Sequence, residues 1–518
     1  MTDSFSVAVS GKSGEQLDIA HDAAWYTAAT YISQIVAFAT GIVIKRFIGP
    51  TGLGIWTMLT VFLSYLSILE FGVTQAATKE IAYELGKGDE DQVERLKGTQ
   101  FSFVTLTALI GLSGIVAYVV IRCDKLSPEF LIGLLVIGFC FPVLQIQLAH
   151  MTIFWVNKEF RATSLMMLLE TLSNTVLGIF LVWQYGVYGL FFNFAITLFI
   201  KLGYLLLMAK CSAHLCIRFS WNKAVLKRLL GVGIPLQIVS LVAILKLSLA
   251  TILVAYFLGT TAVGCYALAL SIQTYIYMMP NSFSIIMFPR LQERFAMNKN
   301  DASTLLTFLS KPLRGLAFFV LPLLISVSYF LAPVLIRQIL PEFEPTILVL
   351  KVLLAGTFFL SMEHMPGQII TTTNRLWQRV GLGLLSTIIL IVCMAGAVSY
   401  GATLVKIACA VTFANTLGFF IGFFYAFSLI GNPRSERWLW AKLLGTFTYL
   451  MLSLIVIDQA LPTWGDSLLR DFGMAFAKLA ISLITFLPLF LIAEHNLSIV
   501  QTIRILILSR LSGASHVA

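Results

Sequence analysis

The sequence predicts an all-α polytopic membrane protein of about fourteen transmembrane helices, arranged as two parallel-repeat six-helix bundles around a central cavity, with two helices added at the C-terminal end. Three observations predict it. Of 518 residues, 58% are hydrophobic and 12% charged, and mean hydropathy is +0.90, which leaves too few polar side chains to coat a soluble body of this size. Apolar runs of roughly 20 residues, enough to cross about 30 Å of hydrocarbon at about 1.5 Å per residue, recur along the whole chain. A motif also returns at a constant offset: Phe47-Ile48-Gly49-Pro50-Thr51-Gly52-Leu53-Gly54 matches Phe257-Leu258-Gly259-Thr260-Thr261-Ala262-Val263-Gly264. Six spans separate the copies, so they share one orientation, and a substrate path is expected between the halves.

The spans read as 23–44, 53–75, 99–121, 128–149, 163–184, 187–209, 231–257, 261–286, 314–336, 345–369, 380–400, 402–430, 439–460 and 471–493. Gly186 and Gly401 each sit in a short polar gap that marks a tight turn between neighbouring spans. The organisation follows as a cytoplasmic N-terminal tail (1–22), a six-helix bundle (23–218), a linker with the second six-helix bundle (219–430), two additional spans (431–493) and a cytoplasmic tail (494–518). Phe219 to Leu230 alternates apolar and basic residues at helical spacing and is expected to form an interfacial helix. Leu497 to Leu511 is similarly amphipathic and is expected on the inner leaflet, with a disordered tail as the alternative.

Lys and Arg set the orientation, because short cytoplasmic loops hold the excess. Lys79, Lys87, Arg95, Lys97, Lys210, Arg218, Lys223, Lys227, Arg228, Arg290, Arg294, Lys299, Lys311, Arg314, Arg434, Arg437 and Lys442 fall on one side, against Lys45, Arg46, Arg122, Lys125, Arg337 and Arg470 on the other. Both termini are therefore expected in the cytoplasm. This distribution also accounts for the net charge of +10 without nucleic acid as a partner. The first 22 residues lack an apolar core closed by a small-residue cleavage site and do not read as a secretory signal. Seven cysteines stand singly, so neither a disulfide framework nor a metal site is indicated, and no cofactor is expected. Gly11-Lys12-Ser13 mimics the end of a phosphate loop, but Ser6 stands where its first glycine is needed and no strand precedes it.

The run Ile44-Lys45-Arg46-Phe47-Ile48-Gly49-Pro50-Thr51-Gly52-Leu53-Gly54 resembles the first outer turn of polysaccharide exporters, the bacterial O-antigen flippase type within the multidrug/oligosaccharidyl-lipid/polysaccharide (MOP) superfamily. Leu85-Gly86-Lys87-Gly88-Asp89-Glu90 resembles that family's first cytoplasmic loop, Gly231-Val232-Gly233-Ile234-Pro235-Leu236 its entry into span seven, and Phe288-Pro289-Arg290-Leu291 its exit from span eight. Pro341-Glu342-Phe343 is a weaker match to the turn before span ten. The resemblance implies two six-helix bundles around a central cavity, alternating access, and an undecaprenyl-type lipid-linked oligosaccharide turned from inner to outer leaflet. The chain departs from the family at Ala250, where many members carry an acid; no mechanism resting on that acid transfers.

Charges inside the spans are the candidates for function, since an unpaired lysine at mid-bilayer costs about 2.5 to 3.5 kcal/mol. Lys246 lies mid-span beside the small residues Ala243 and Ala250 and is expected either to face the cavity or to pair with a buried acid. Gln237, Ser240 and Ser248 fall on roughly the opposite helix face and cannot all share its chamber. Gln237, Gln34, Gln273 and Lys201 are further substrate-binding candidates, with interhelical hydrogen bonding as the alternative for the amides. Lys45 and Arg46 stand at the outer mouth. Glu170, with Asn174 one turn later on the same face, is the candidate for ion coupling, with a buried, hydrogen-bonded carboxyl as the alternative. Lys351, Lys406 and Lys478 lie near outer helix ends and are expected to snorkel.

A lipid-linked oligosaccharide carries a pyrophosphate and many hydroxyls, so its carrier must replace their hydration: cations for phosphate, amides and hydroxyls for sugar, an apolar gap for the polyprenyl tail. The expected partners are that substrate, membrane lipids, a coupling ion (proton or sodium) and polysaccharide-assembly proteins. Rival readings are an ion-coupled multidrug exporter of the same superfamily, a membrane-embedded glycan polymerase or ligase, and a non-transporting scaffold. Short outer loops without a charged catalytic cluster speak against the enzyme.

Overall fold

A computed structural model describes residues 3–212, 215–298, 301–431, 436–461 and 468–491. The described residues form helices joined by turns and short irregular segments, without a strand: α1 (Asp3–Leu66), α2 (Val73–Lys87), α3 (Glu90–Arg122), α4 (Pro128–Val156), α5 (Phe160–Tyr185), α6 (Val187–Cys211), α7 (Lys223–Leu258), α8 (Thr260–Met297), α9 (Leu306–Gly315), α10 (Leu321–Ile339), α11 (Thr346–Met362), α12 (His364–Thr372), α13 (Leu376–Ser399), α14 (Leu404–Leu429), α15 (Leu439–Ala460) and α16 (Leu468–Thr485). The C-terminal stretch read as amphipathic, 494–518, lies outside the described residues.

Among the described residues, twelve helical stretches are long and apolar enough to cross a membrane. The first runs 39 residues, Ile32–Glu70, roughly 58 Å at 1.5 Å per residue and nearly twice the hydrocarbon thickness. Gly49 breaks it with φ at 64° before Pro50, so it holds the first two predicted spans. The repeat-related Gly259, at φ 82°, caps the turn between α7 and α8. Gly186 and Gly401, at φ 57° and 88°, likewise make the turns read at those positions. In each case only glycine enters this region without a Cβ clash. α16 has a spanning length but carries Arg470, Asp471 and Lys478, and it completes the predicted set. Side chains such as Ile35, Ile121, Leu247 and Val392 stand 65–76% exposed, a surface that only lipid can cover.

Two compact units divide at Ile244/Leu245, inside α7. The expected interfacial helix at 219–230 is instead an extended segment to residue 222 followed by the first two turns of α7, which run on without a break into the span. The expected tail at 1–22 is helical from Asp3.

In the first unit α1 packs on α5, α5 on α6, and α3 on α4. Ile55, Leu59, Ile115, Leu134, Ile137 and Phe191 form the core among α1, α3, α4 and α6. α2 is a helix in the segment that the sequence predicts to be mostly a loop. Gly88 at φ 78° stops it, and the Asp89 carboxylate accepts from the Gln92 N–H to start α3. Its apolar face joins Val225 and Leu229 of α7. The approach is close enough that a Cβ on Gly233 would lie 2.8 Å from the Gly72 carbonyl oxygen, so small residues set this crossing. At its rim Arg228 bridges Glu80 and Glu84, and Lys87 stands 3.5 Å from Glu84.

In the second unit α14 packs on α11 and α13, and α8 on α11. Phe359 meets Phe447 at 4.7 Å and Phe419 at 5.6 Å, filling the space among α11, α14 and α15. Interhelical polar bonds fix register: Thr346 Oγ1 donates to the Cys265 carbonyl at 3.1 Å, and Thr412 Oγ1 to the Val352 carbonyl at 3.0 Å. α15 and α16 are tied in by Asp458, which accepts from Lys351 of α11 at 2.5 Å and from Lys478 of α16 at 2.7 Å. Gln338 of α10 donates to Asp471 at 2.6 Å. Lys351 and Lys478 therefore do not snorkel as expected; a shared carboxylate at hydrogen-bond distance outcompetes a stretched stem. Lys406 does reach a helix end, donating to the Tyr400 and Gly401 carbonyls at 2.6 and 3.1 Å.

The Arg228 hydrogen bond holds the Glu84 carboxyl below its usual value of 4.5. A carboxyl depressed by folding stabilises fully above its unfolded value and loses that contribution as pH falls through the folded one. The protection factors of α2 amides, corrected for intrinsic exchange, are thus expected to be high at neutral pH and to fall as pH drops below the glutamate range, and Glu84→Gln should remove that step. Asp458→Asn strands two ammonium groups and is expected to destabilise by about 3 kcal/mol, read as a lower Tm in detergent. Adding Lys478→Met to that variant should restore part of the loss.

Candidate functional site

Two of the polar sites among the described residues gather candidates that the sequence singles out, one in each unit. In the first, α1, α5 and α6 surround a cavity of about 460 Å³ lined by Ser33, Gln34, Thr40, Glu170, Asn174 and Asn193, with Trp56 and Phe194 among its apolar walls. Its polar groups are cross-braced. Thr40 and Thr175 share a hydrogen bond of 2.9 Å, and Asn193 Nδ2 donates to Asn174 Oδ1 at 2.9 Å. Lys201 Nζ stands 2.9 Å from Glu170 Oε1, with the lysine side chain 14% and the glutamate 38% exposed. Ser33 is buried and its hydroxyl has no partner among the described residues, which marks a place for water or a ligand hydroxyl.

The second site forms where α11 meets α12. Pro366 has no N–H for the Met362 carbonyl, and the helix is interrupted at Glu363. Lys246 of α7 donates to both Glu363 carboxylate oxygens, at 3.1 and 3.0 Å. Here too the lysine is the more buried partner, 15% exposed against 38% for the glutamate. Tyr277 of α8 packs on His364 at 4.8 Å, and Arg379 of α13 donates to Thr371 and lies within the field of Glu363. In both pairs the glutamate is the more exposed partner, and an ionised carboxylate within a span needs its counter-charge.

These positions sort the sequence candidates. Gln34, Glu170, Asn174 and Lys201 come together at the first site, with Glu170 held by Lys201 instead of standing as a free acid. Lys246 takes the paired arrangement. Gln273 lies outside both sites: it is buried and donates to Thr357 Oγ1 at 3.0 Å, tying α8 to α11. Gln237 is buried in the first unit, beside Gly72, with an unpartnered Oε1. Lys45 is half-buried and Arg46 exposed at the end of the first span, near the Gly49 turn. Glu363, Arg379, Asn193 and Asp458 carry more of the geometry than the sequence reading assigned them. One signal was there: each intramembrane lysine needs an acid, and Glu170, Glu363 and Asp458 were at hand.

The fold is similar to an inward-facing multidrug resistance MATE family transporter of the MOP superfamily, with TM-score 0.67 at 14% identity over 76% of this chain and 94% of that one. It is also similar to an outward-facing member, with TM-score 0.58 at 16% identity over 79% and 96%. A MOP superfamily transporter from Pyrococcus furiosus, described as having a binding pocket of reverse polarity that suggests a different function, aligns with TM-score 0.59 at 15% identity over 80% and 95%. No curated protein sequence matches significantly. Residues 19–295 match the family model described as polysaccharide biosynthesis protein. With more than half of its length matched, this multi-pass membrane protein belongs to the polysaccharide biosynthesis protein family and has the fold of the MOP superfamily transporters.

Proposed function

We propose that the protein is a flippase of the plasma (inner) membrane, both termini cytoplasmic, that turns a polyprenyl-pyrophosphate-linked oligosaccharide from inner to outer leaflet by alternating access, for cell-surface polysaccharide biosynthesis. The observation that carries this reading is the cavity of the first unit, whose hydroxyl and amide lining suits a glycan. Ser33, Gln34, Asn174 and Asn193 exchange hydrogen bonds with sugar hydroxyls, replacing the water that hydrocarbon cannot supply. Trp56 and Phe194 offer apolar faces to the ring carbons. Lys246 and Arg379 in the second unit supply the cationic chemistry that a pyrophosphate needs, and the polyprenyl tail stays in lipid. Family membership supports the same reading, and no bond of the substrate is made or broken. The domains function as read from the sequence: two bundles that alternate access, with α15 and α16 as an addition. Glu170 remains the candidate for coupling to a proton or sodium gradient.

A second reading, ion-coupled export of cationic drugs, draws on Glu170 being the more exposed member of its pair. Removal of the protein from cells separates the two. The flippase reading expects a lipid-linked glycan to accumulate on the cytoplasmic leaflet, detected by mass spectrometry; hypersensitivity to cationic dyes with no such glycan would favour drug export. In proteoliposomes loaded with that lipid, Asn174→Leu and Gln34→Leu are each expected to slow translocation about tenfold, the equivalent of one lost hydrogen bond. Wild-type rates in both folded variants would remove the cavity from the pathway.

A further inference from the structure

We propose that the first unit's cavity selects its sugar by charge: Glu170 admits uncharged and amino sugars and turns away acidic ones such as uronic acids. The inference rests on the flippase reading and deepens it by naming the class of sugar. Three features carry it. First, among the described residues Glu170 is the one charged side chain that lines the cavity. Its counter-charge lies outside that lining: Lys201 Nζ stands 2.9 Å from Glu170 Oε1, with the lysine side chain 14% exposed against 38% for the glutamate. The pair is neutral as a whole, yet it presents its negative end to whatever enters. Second, an ionised carboxylate only accepts hydrogen bonds. It takes an O–H from a neutral sugar, takes a charge-assisted N–H from an ammonium sugar, and has nothing to donate to a second carboxylate. Third, the remaining polar lining is neutral. Ser33, Gln34, Thr40, Asn174 and Asn193 supply hydroxyls and amides, and neither lysine nor arginine stands among them to offset an acid.

The setting strengthens the effect. The cavity, of about 460 Å³, has the size of a small-ligand site, so a sugar inside it lies near Glu170. Walls such as Trp56, Phe194 and Leu190 hold the dielectric below that of water, and like charges repel more strongly there than at an open surface. An acidic sugar would also give up the hydration of its own carboxylate without a cation to replace it. An uncharged sugar gives up only hydroxyl hydration, which the lining returns bond for bond. The same wall keeps the substrate's own diphosphate out of this cavity and leaves the cavity to the glycan. Glu170 is thus a specificity-determining residue, and its effect is separable from cavity size. Gly41 also lines the cavity, and a Cβ placed there meets nothing within 4 Å, so a larger side chain at that position removes space and leaves the charge as it is.

The test uses the full chain in nanodiscs and three farnesyl-diphosphate-linked monosaccharides that differ only in the sugar: glucose, glucosamine and glucuronic acid. Binding is measured by calorimetry at about pH 6.5, where the amine is protonated and the uronate ionised, with empty nanodiscs subtracted. The wild type is expected to bind the glucosyl probe about tenfold more tightly than the glucuronyl probe, and the glucosaminyl probe most tightly of the three. Glu170→Gln, which leaves Lys201 without its counter-charge, is expected to erase or reverse the preference for glucosyl over glucuronyl. Glu170→Gln combined with Lys201→Met, which removes both charges, is expected to bring that ratio to about one, and it answers the question where the single variant does not fold. Gly41→Leu is expected to weaken all three probes alike and to keep their order. Equal or tighter binding of the glucuronyl probe by the wild type overturns the charge selection and leaves the flippase reading standing. A wild-type ratio that persists without Glu170 overturns the role of that residue. Binding of none of the three overturns both the selection and the flippase reading.

Discussion

An ammonium group held in hydrocarbon without a counter-charge costs about 2.5 to 3.5 kcal/mol, and the placement of lysines inside the spans follows from that cost. Lys201 meets Glu170, Lys246 meets Glu363, and Lys351 with Lys478 shares Asp458. Each acid comes from a different helix than its lysine, so each pair also fixes which helices lie side by side. Lys406, one turn from a helix end, takes the Tyr400 and Gly401 carbonyls instead. Electrostatic compensation and helix packing are here one constraint.

The pairs differ in what surrounds them. The Asp458 group is closed by Tyr329 over Lys351 and by the buried Asp471 of α16, and its consequence is mechanical: two extra helices are docked onto α10 and α11. The Glu170 and Glu363 pairs each leave the carboxylate as the more exposed partner. Buried polar atoms with nothing to bond are expensive in a stable core, and one such hydroxyl, Ser33, lines the cavity beside the Glu170 pair.

Glycine shapes both units through absence of a side chain. Gly49 and Gly259 open the repeated turns with positive φ, and Gly72 and Gly233 bring backbones together where α2 meets α7. Gly418 of α14 lets Ser386 of α13 come close, where a Cβ would lie 2.7 Å from its hydroxyl oxygen. The first pair was legible as a repeated motif, because a turn is a local property. The others depend on what stands across from the glycine, which no local pattern records.

The amino-acid sequence by itself determined the membrane environment, the spans, the tight turns at Gly186 and Gly401, and the residues whose charge at mid-depth demands an explanation, because hydropathy and backbone conformation are properties of short stretches. Membership of Gln34, Glu170, Asn174 and Lys201 in one site, the removal of Gln273 to a helix contact and the sharing of Asp458 by two lysines were decided only by tertiary structure. A charge states its need for a partner in the sequence, but the partner is chosen by which helix faces meet, and those are set by contacts between residues far apart in the chain.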